Sequence, residues 1–165
     1  METTSNTFNI GDHVVYPEQG MGIIKAITEK KHNGISESYY SIYLKNTDMN
    51  ILIPVKRAKD IGIRSIVSKK EATDAIMGIT NKDTLNNLDW KERLHRNQEL
   101  IHDGSINSIA KVVQTLYHRS KVKELPIQEK KLYESALNLL IEEASIAMNL
   151  DIEQISTLIL ERLES

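Results

Sequence analysis

Cysteine is missing altogether from the 165 residues, so neither a disulfide nor a thiolate metal site can contribute to this fold. No apolar run approaches the roughly 18 residues that span a bilayer. The opening METTSNTFN has neither the basic nor the apolar part of a signal peptide, and a cytosolic protein that does not meet the membrane is the expectation. A Gly-rich phosphate loop, GxSxG and HExxH are all absent, which removes the commonest hydrolytic and nucleotide-dependent chemistries. The paired acids Glu142 and Glu143 read as surface charge on a helix. An enzyme is not expected, nor is a cofactor. With three prolines and seven glycines there is no flexible linker, and no repeat or low-complexity tract interrupts the chain. Aromatic residues are scarce, and the single tryptophan, Trp90, stands out for that reason.

What is present is ordinary for a globular protein: 40% apolar and 27% charged residues, enough to bury a core. The net charge of −2 conceals an uneven distribution. Lys91 to Lys131 holds nine Lys/Arg against five acids, a net of +4, whereas Leu132 to Ser165 holds one Arg against seven acids, a net of −6. The middle of the chain suits a polyanion and its tail does not, although charge on helices is more often a solvated face.

The hydrophobic period divides the chain. HVVY at 13–16, GIIKAI at 22–27, SYYSIYL at 38–44 and NILIPV at 50–55 are short β-rich runs separated by turn residues. Asn33-Gly34 is a type I′ hairpin signal between two of them. Strands this short without intervening helices suggest a small closed barrel. After Val67 the period becomes 3.6. Ser68 with Glu71 is a capping box for a helix to about Met77, and 79–88 reads as a loop. Asp89 with Glu92 is a second capping box, with Trp90 at the first helical position. Asp103-Gly104 ends that helix and Ser105 caps the next; Pro126 opens a long one, and Asp151 with Gln154 caps the last. The expected architecture is α+β in two modules, a β module over 1–67 and an all-α module over 68–165.

Several clusters admit two readings. His95, Glu99 and His102 share helical spacing, but no further ligand is evident and a solvated polar face is the simpler account. Tyr16, Tyr39, Tyr40 and Tyr43 could form an aromatic cage for a methylated cation, but alternation sends Tyr39 and Tyr43 to one face with Tyr40 opposite, so at least part of the set must be ordinary barrel core and a cage is disfavoured. Pro54 lacks an amide donor, which places 48–54 at a sheet edge; such an edge can recruit a partner's strand or be covered by a loop. Trp90 lies within about 40° of Leu94 and Ile101 on a helical wheel, as a core residue would. It also sits at a helix start among Lys91, Arg93 and Arg96, as a residue that stacks on a base beside a phosphate would.

The segment FNIGDHVVYPEQGMGII, Phe8 to Ile24, resembles the opening F-x-x-G-D-x-V-V-Y-P-x-x-G of the CarD/CdnL-type bacterial transcription regulators, which bind RNA polymerase. The likeness continues through IPVKRAKDIGIRSIV at 53–67, the tryptophan of LDWKERL and the block DGSINSIAKVVQTLYHRS, and covers nearly the whole chain. It implies that the first module is a Tudor/SH3-like β-barrel that pairs with a lobe of the polymerase β subunit. The strand Met49, Asn50, Ile51, Leu52, Ile53 and Pro54, with Lys30 on a hairpin, would make that contact. It also implies that the helices touch promoter DNA with little sequence specificity. Trp90 matches the tryptophan that wedges into the minor groove at the upstream edge of the bubble, and Lys91, Arg93, Arg96, Lys130 and Lys131 would flank it on DNA. Leu52 stands where some members have arginine, Glu92 where a cation is common and His95 where lysine is found, so those contacts must differ. The expected protein is a monomeric, non-catalytic stabiliser of the promoter open complex. The competing expectation is an adaptor whose β module binds a protein and whose helices do not meet DNA. A base-reading repressor is disfavoured, because the helix after Ser105 offers only Asn107, Lys111 and Gln114.

Overall fold

The computed structural model describes residues 8–82 and 88–165. The chain divides into two compact units, Met1–Ile66 and Val67–Ser165. In the first, β1 (His13–Tyr16), β2 (Gly20–His32), β3 (Ile35–Leu44), β4 (Met49–Pro54) and β5 (Arg64–Ser65) form one antiparallel sheet in the order β4-β3-β2-β1-β5. Between β4 and β5 run a 3-10 turn and the one-turn helix α1 (Ala58–Ile61). Asn33 and Gly34 both have positive φ, 51° and 78°, as a type I′ turn demands.

β2 and β3 are longer than their hydrophobic alternation suggests, because they pair out to His32↔Ile35 while β4 accompanies β3 only as far as Tyr39↔Pro54. Among the described residues the outer part of this hairpin has no third strand beside it on β3, and it carries polar residues on both faces, so alternation cannot reveal it. β5 is two residues long and is recognisable only through its pairing with Val14 and Val15.

The core of this unit gathers Phe8, Val14, Ile24, Tyr40, Ile42 and Leu44 under α1. Tyr40 is fully buried, with its ring 5.5 Å from that of Phe8 and its hydroxyl accepting the Phe8 amide. Tyr39 and Tyr43 lie on the other face and donate to Glu37 and Asp48, so the tyrosines split between core and surface instead of forming a cage. Gly22, buried in β2, is where the sheet is tightest: a Cβ there would stand 2.6 Å from Ile42 Cγ2 and 3.1 Å from the Tyr43 carbonyl oxygen. Gly22→Ala is therefore expected to cost about 1–3 kcal/mol of stability by overpacking, read from the urea midpoint.

The second unit comprises α2 (Lys69–Met77), α3 (Trp90–Asp103), α4 (Ile106–Val122), α5 (Ile127–Met148) and α6 (Ile152–Glu164). The capping boxes at Ser68/Glu71 and Asp151/Gln154 form, and Ser105 caps α4. The one expected at Asp89/Glu92 does not, since the Asp89 side chain makes no capping bond. α4 is the central element, packed by α2, α3, α5 and α6, and buries nine of its seventeen residues. The expected loop over 79–88 lies partly outside the described residues. Its first part is tied to α4, where Gln114 bonds the Thr80 amide and hydroxyl and the Lys82 carbonyl, and His118 Nε2 lies 2.9 Å from the Thr80 carbonyl.

Glu143 is not surface charge. It is fully buried on α5 and accepts the Val67 amide at 3.1 Å. A buried carboxylate needs such a donor, and its position on the inward stripe with Leu139, Leu140 and Ala144 put it there. No helix among the described residues is long and apolar enough to cross a membrane.

Candidate nucleic-acid interface

Trp90 opens α3 and is half-buried. Its wheel position aims it inward with Leu94 and Ile101, yet the residue stays partly exposed. Lys91 places its ammonium 5.8 Å from the indole centroid, within cation–π range.

Arg93 is placed otherwise than expected. Only 2% of its surface is exposed, and its guanidinium grips Glu129 of α5 through Nε at 2.6 Å and Nη2 at 2.8 Å. Nη1 donates to the Leu88 carbonyl at 3.2 Å. Arg93 is thus withdrawn from any phosphate. It falls about 60° from Trp90 on the wheel, on the side that meets α5, and Glu129 is itself completely buried. A buried carboxylate and a bidentate guanidinium neutralise each other in a geometry lysine cannot copy.

The pair brings the first turn of α3 beside the first turn of α5, where Lys130 and Lys131 follow Glu129 and are both exposed. The N-caps of both helices, Asp89 and Pro126, provide no side-chain capping bond, and helix starts attract anions. Trp90, Lys91, Lys130 and Lys131 are therefore carried by two joined helix starts. Arg96 is exposed but about 120° round the helix from Trp90, and lies along a separate open cleft of about 690 Å³ with His95, Glu99, Asp103 and Ser108.

His95 and Glu99 form an exposed pair at 3.1 Å, and no group of three or more metal-binding side chains occurs among the described residues. In the same cleft Asp103 accepts from Ser108 at 2.7 Å and from Ser105 at 3.0 Å. These two bonds, Ser108's the larger, hold its carboxyl below the usual 3.8. A lowered folded pKa contributes stability that is complete above the unfolded value and is lost as pH falls through the folded one. Asp103→Asn is accordingly expected to lower the urea midpoint at neutral pH, and the gap from the native chain should narrow below about pH 4.

Sequence reasoning missed the Glu129 partner and also Asn97, which is fully buried with neither amide atom hydrogen-bonded among the described residues. The heptad spacing from Trp90 to Asn97 could have placed Asn97 on the inward stripe. An isolated buried amide costs about 1–3 kcal/mol, so the packing around α3 tolerates a polar group at its centre.

In the first unit, β4 forms one edge of the sheet and presents Met49 and Leu52 at 56% and 45% exposure. Met49 to Pro54 lie together on this strand, whereas Lys30 sits on β2 opposite Glu37, in the hairpin beyond the reach of β4.

Residues 75–160 match the family model described as CarD, C-terminal domain, and residues 8–67 match the CarD-like/TRCF RID domain. YdeB of Bacillus subtilis (strain 168), a candidate transcription factor, is 31% identical over 150 residues, covering 91% of this chain and 98% of that protein. The solution NMR structure of the 72-residue N-terminal domain of Myxococcus xanthus CarD aligns at 27% identity over 38% of this chain and 84% of that one, with a TM-score of 0.31.

Proposed function

This chain belongs to the CarD family of transcription-associated factors, and from that membership we propose that it binds RNA polymerase and stabilises the promoter open complex. The observation that carries the reading is Trp90, half-exposed on a helix start that a buried ion pair holds and that cations flank.

The N-terminal unit serves as the polymerase anchor. Its CarD-like/TRCF RID family interacts with RNA polymerase, and β4 supplies the means: an edge strand whose outward backbone groups can pair with a strand of the β subunit. Exposed Leu52 makes the side-chain part of that contact apolar rather than ionic. The helical unit meets DNA as a monomer, without catalysis. Trp90 wedges into the minor groove at the bubble's upstream edge, while Lys91, Lys130 and Lys131 meet phosphates and Arg96 reaches the backbone from its own side of α3. Opening a base step costs a few kcal/mol, and a wedge that fits only the distorted junction returns this energy only when the bubble is open. Such differential binding shifts the closed-to-open equilibrium toward open, about tenfold for each 1.4 kcal/mol. Base reading is unnecessary, because tethering to polymerase selects the site. Gln114, the best base-reading side chain on α4, is in any case occupied by Thr80 and Lys82.

Leu52→Glu tests the anchor. Placing a charge where an apolar side chain is buried in the complex should weaken polymerase binding by about ten- to a hundredfold, corresponding to the roughly 1.5–3 kcal/mol of a buried leucine. A titration on purified bacterial polymerase reads it; unchanged affinity would remove β4 from the interface.

A further inference from the structure

We propose that Arg93 and Glu129 are positioning residues for Trp90: their buried ion pair fixes the start of α3 against the start of α5, so that the indole and the Lys130-Lys131 pair meet DNA as one rigid surface. The proposal rests on the reading of Trp90 as the wedge. The Arg93 guanidinium makes three bonds, two to Glu129 and one to the Leu88 carbonyl. Leu88 lies two residues before the indole and Arg93 three after it, so one planar group secures the backbone on both sides of Trp90. The Asp89 side chain does not cap this turn, and the bond from Arg93 to the Leu88 carbonyl ties the segment entering the helix to its first turn instead. Glu129 directly precedes the two exposed lysines of α5, so the same carboxylate that locates Trp90 also locates them.

Packing alone does not call for this arrangement. Two apolar side chains of similar volume would join the helices at least as well, because burying both charges forfeits their hydration. What they would not supply is direction. The fork of Arg93 sets the rotation of α3 and draws in the Leu88 carbonyl, which an apolar contact leaves without a donor.

That difference separates positioning from mere support. The full-length chain carrying Arg93→Met with Glu129→Leu is compared with Glu129→Gln, Trp90→Ala and the native protein. Three quantities are read: the urea midpoint, acrylamide quenching of Trp90, which is the chain's sole tryptophan, and the lifetime of promoter open complexes formed with purified bacterial polymerase. The double variant is expected to keep the native midpoint, to show more easily quenched Trp90 emission, and to lose lifetime down to the Trp90→Ala level. Native quenching and native lifetime in the folded double variant would overturn the proposal. Should the double variant fail to fold, Glu129→Gln, which keeps shape but not charge, decides by the same two readouts. If Trp90→Ala itself leaves the lifetime unchanged, the wedge reading fails, and quenching alone then decides whether the pair positions the indole.

Discussion

Glu129→Ala is expected to destabilise the helical unit by about 3–5 kcal/mol, the usual result of removing one member of a buried ion pair. The loss is large because Arg93, at 2% exposure, is left charged with only the Leu88 carbonyl as a described hydrogen-bond partner. The guanidinium cannot shed its proton, so it must draw in water or drag the first turn of α3 outward. Total stability of a domain is about 5–15 kcal/mol, and this one substitution removes a sizeable share. Urea unfolding followed by helical circular dichroism measures it. Glu129→Ala combined with Arg93→Ala should cost less than the sum of the two single changes, because each single change leaves an unpaired charge or carboxylate. Strict additivity would mean that the two side chains stabilise the fold independently.

The sequence makes the architecture legible wherever one face of an element is buried. The change of hydrophobic period after Val67, the Asn33-Gly34 turn and the caps at Ser68, Ser105 and Asp151 are local signals, and local chemistry realises them. The outer hairpin of β2 and β3 and the short β5 escape because no alternation marks a ribbon that is polar on both faces or a strand of two residues.

The sequence and its family resemblance name Trp90, Lys91, Lys130 and Lys131 as candidates, but not the mount that carries them. Arg93 has the composition of a phosphate contact, and only the three-dimensional meeting with Glu129, 36 residues away, turns it inward. Glu143 is the same lesson on α5: a carboxylate beside another acid looks solvated until the Val67 amide is seen pointing at it. Long-range polar pairs leave no periodic trace, because one charged residue on a stripe is indistinguishable in sequence from one charged residue at its border. The helix starts of α3 and α5 could each be found alone; that they adjoin could not.

Trp90→Ala carries the second large effect. Trp90 is half-buried, so its removal costs the helical unit some packing, and the comparison must be made under conditions where the variant is folded and saturates polymerase. Under the wedge account the indole contributes only when the bubble is open, and losing a few kcal/mol of junction-specific contact speeds bubble collapse by about ten- to a hundredfold. Polymerase affinity, which belongs to the N-terminal unit in this account, should not change. The decisive measurement is the lifetime of competitor-challenged open complexes at saturating factor, native against Trp90→Ala. A lifetime that falls by an order of magnitude with polymerase affinity intact is the predicted result; equal lifetimes at equal occupancy would contradict the account.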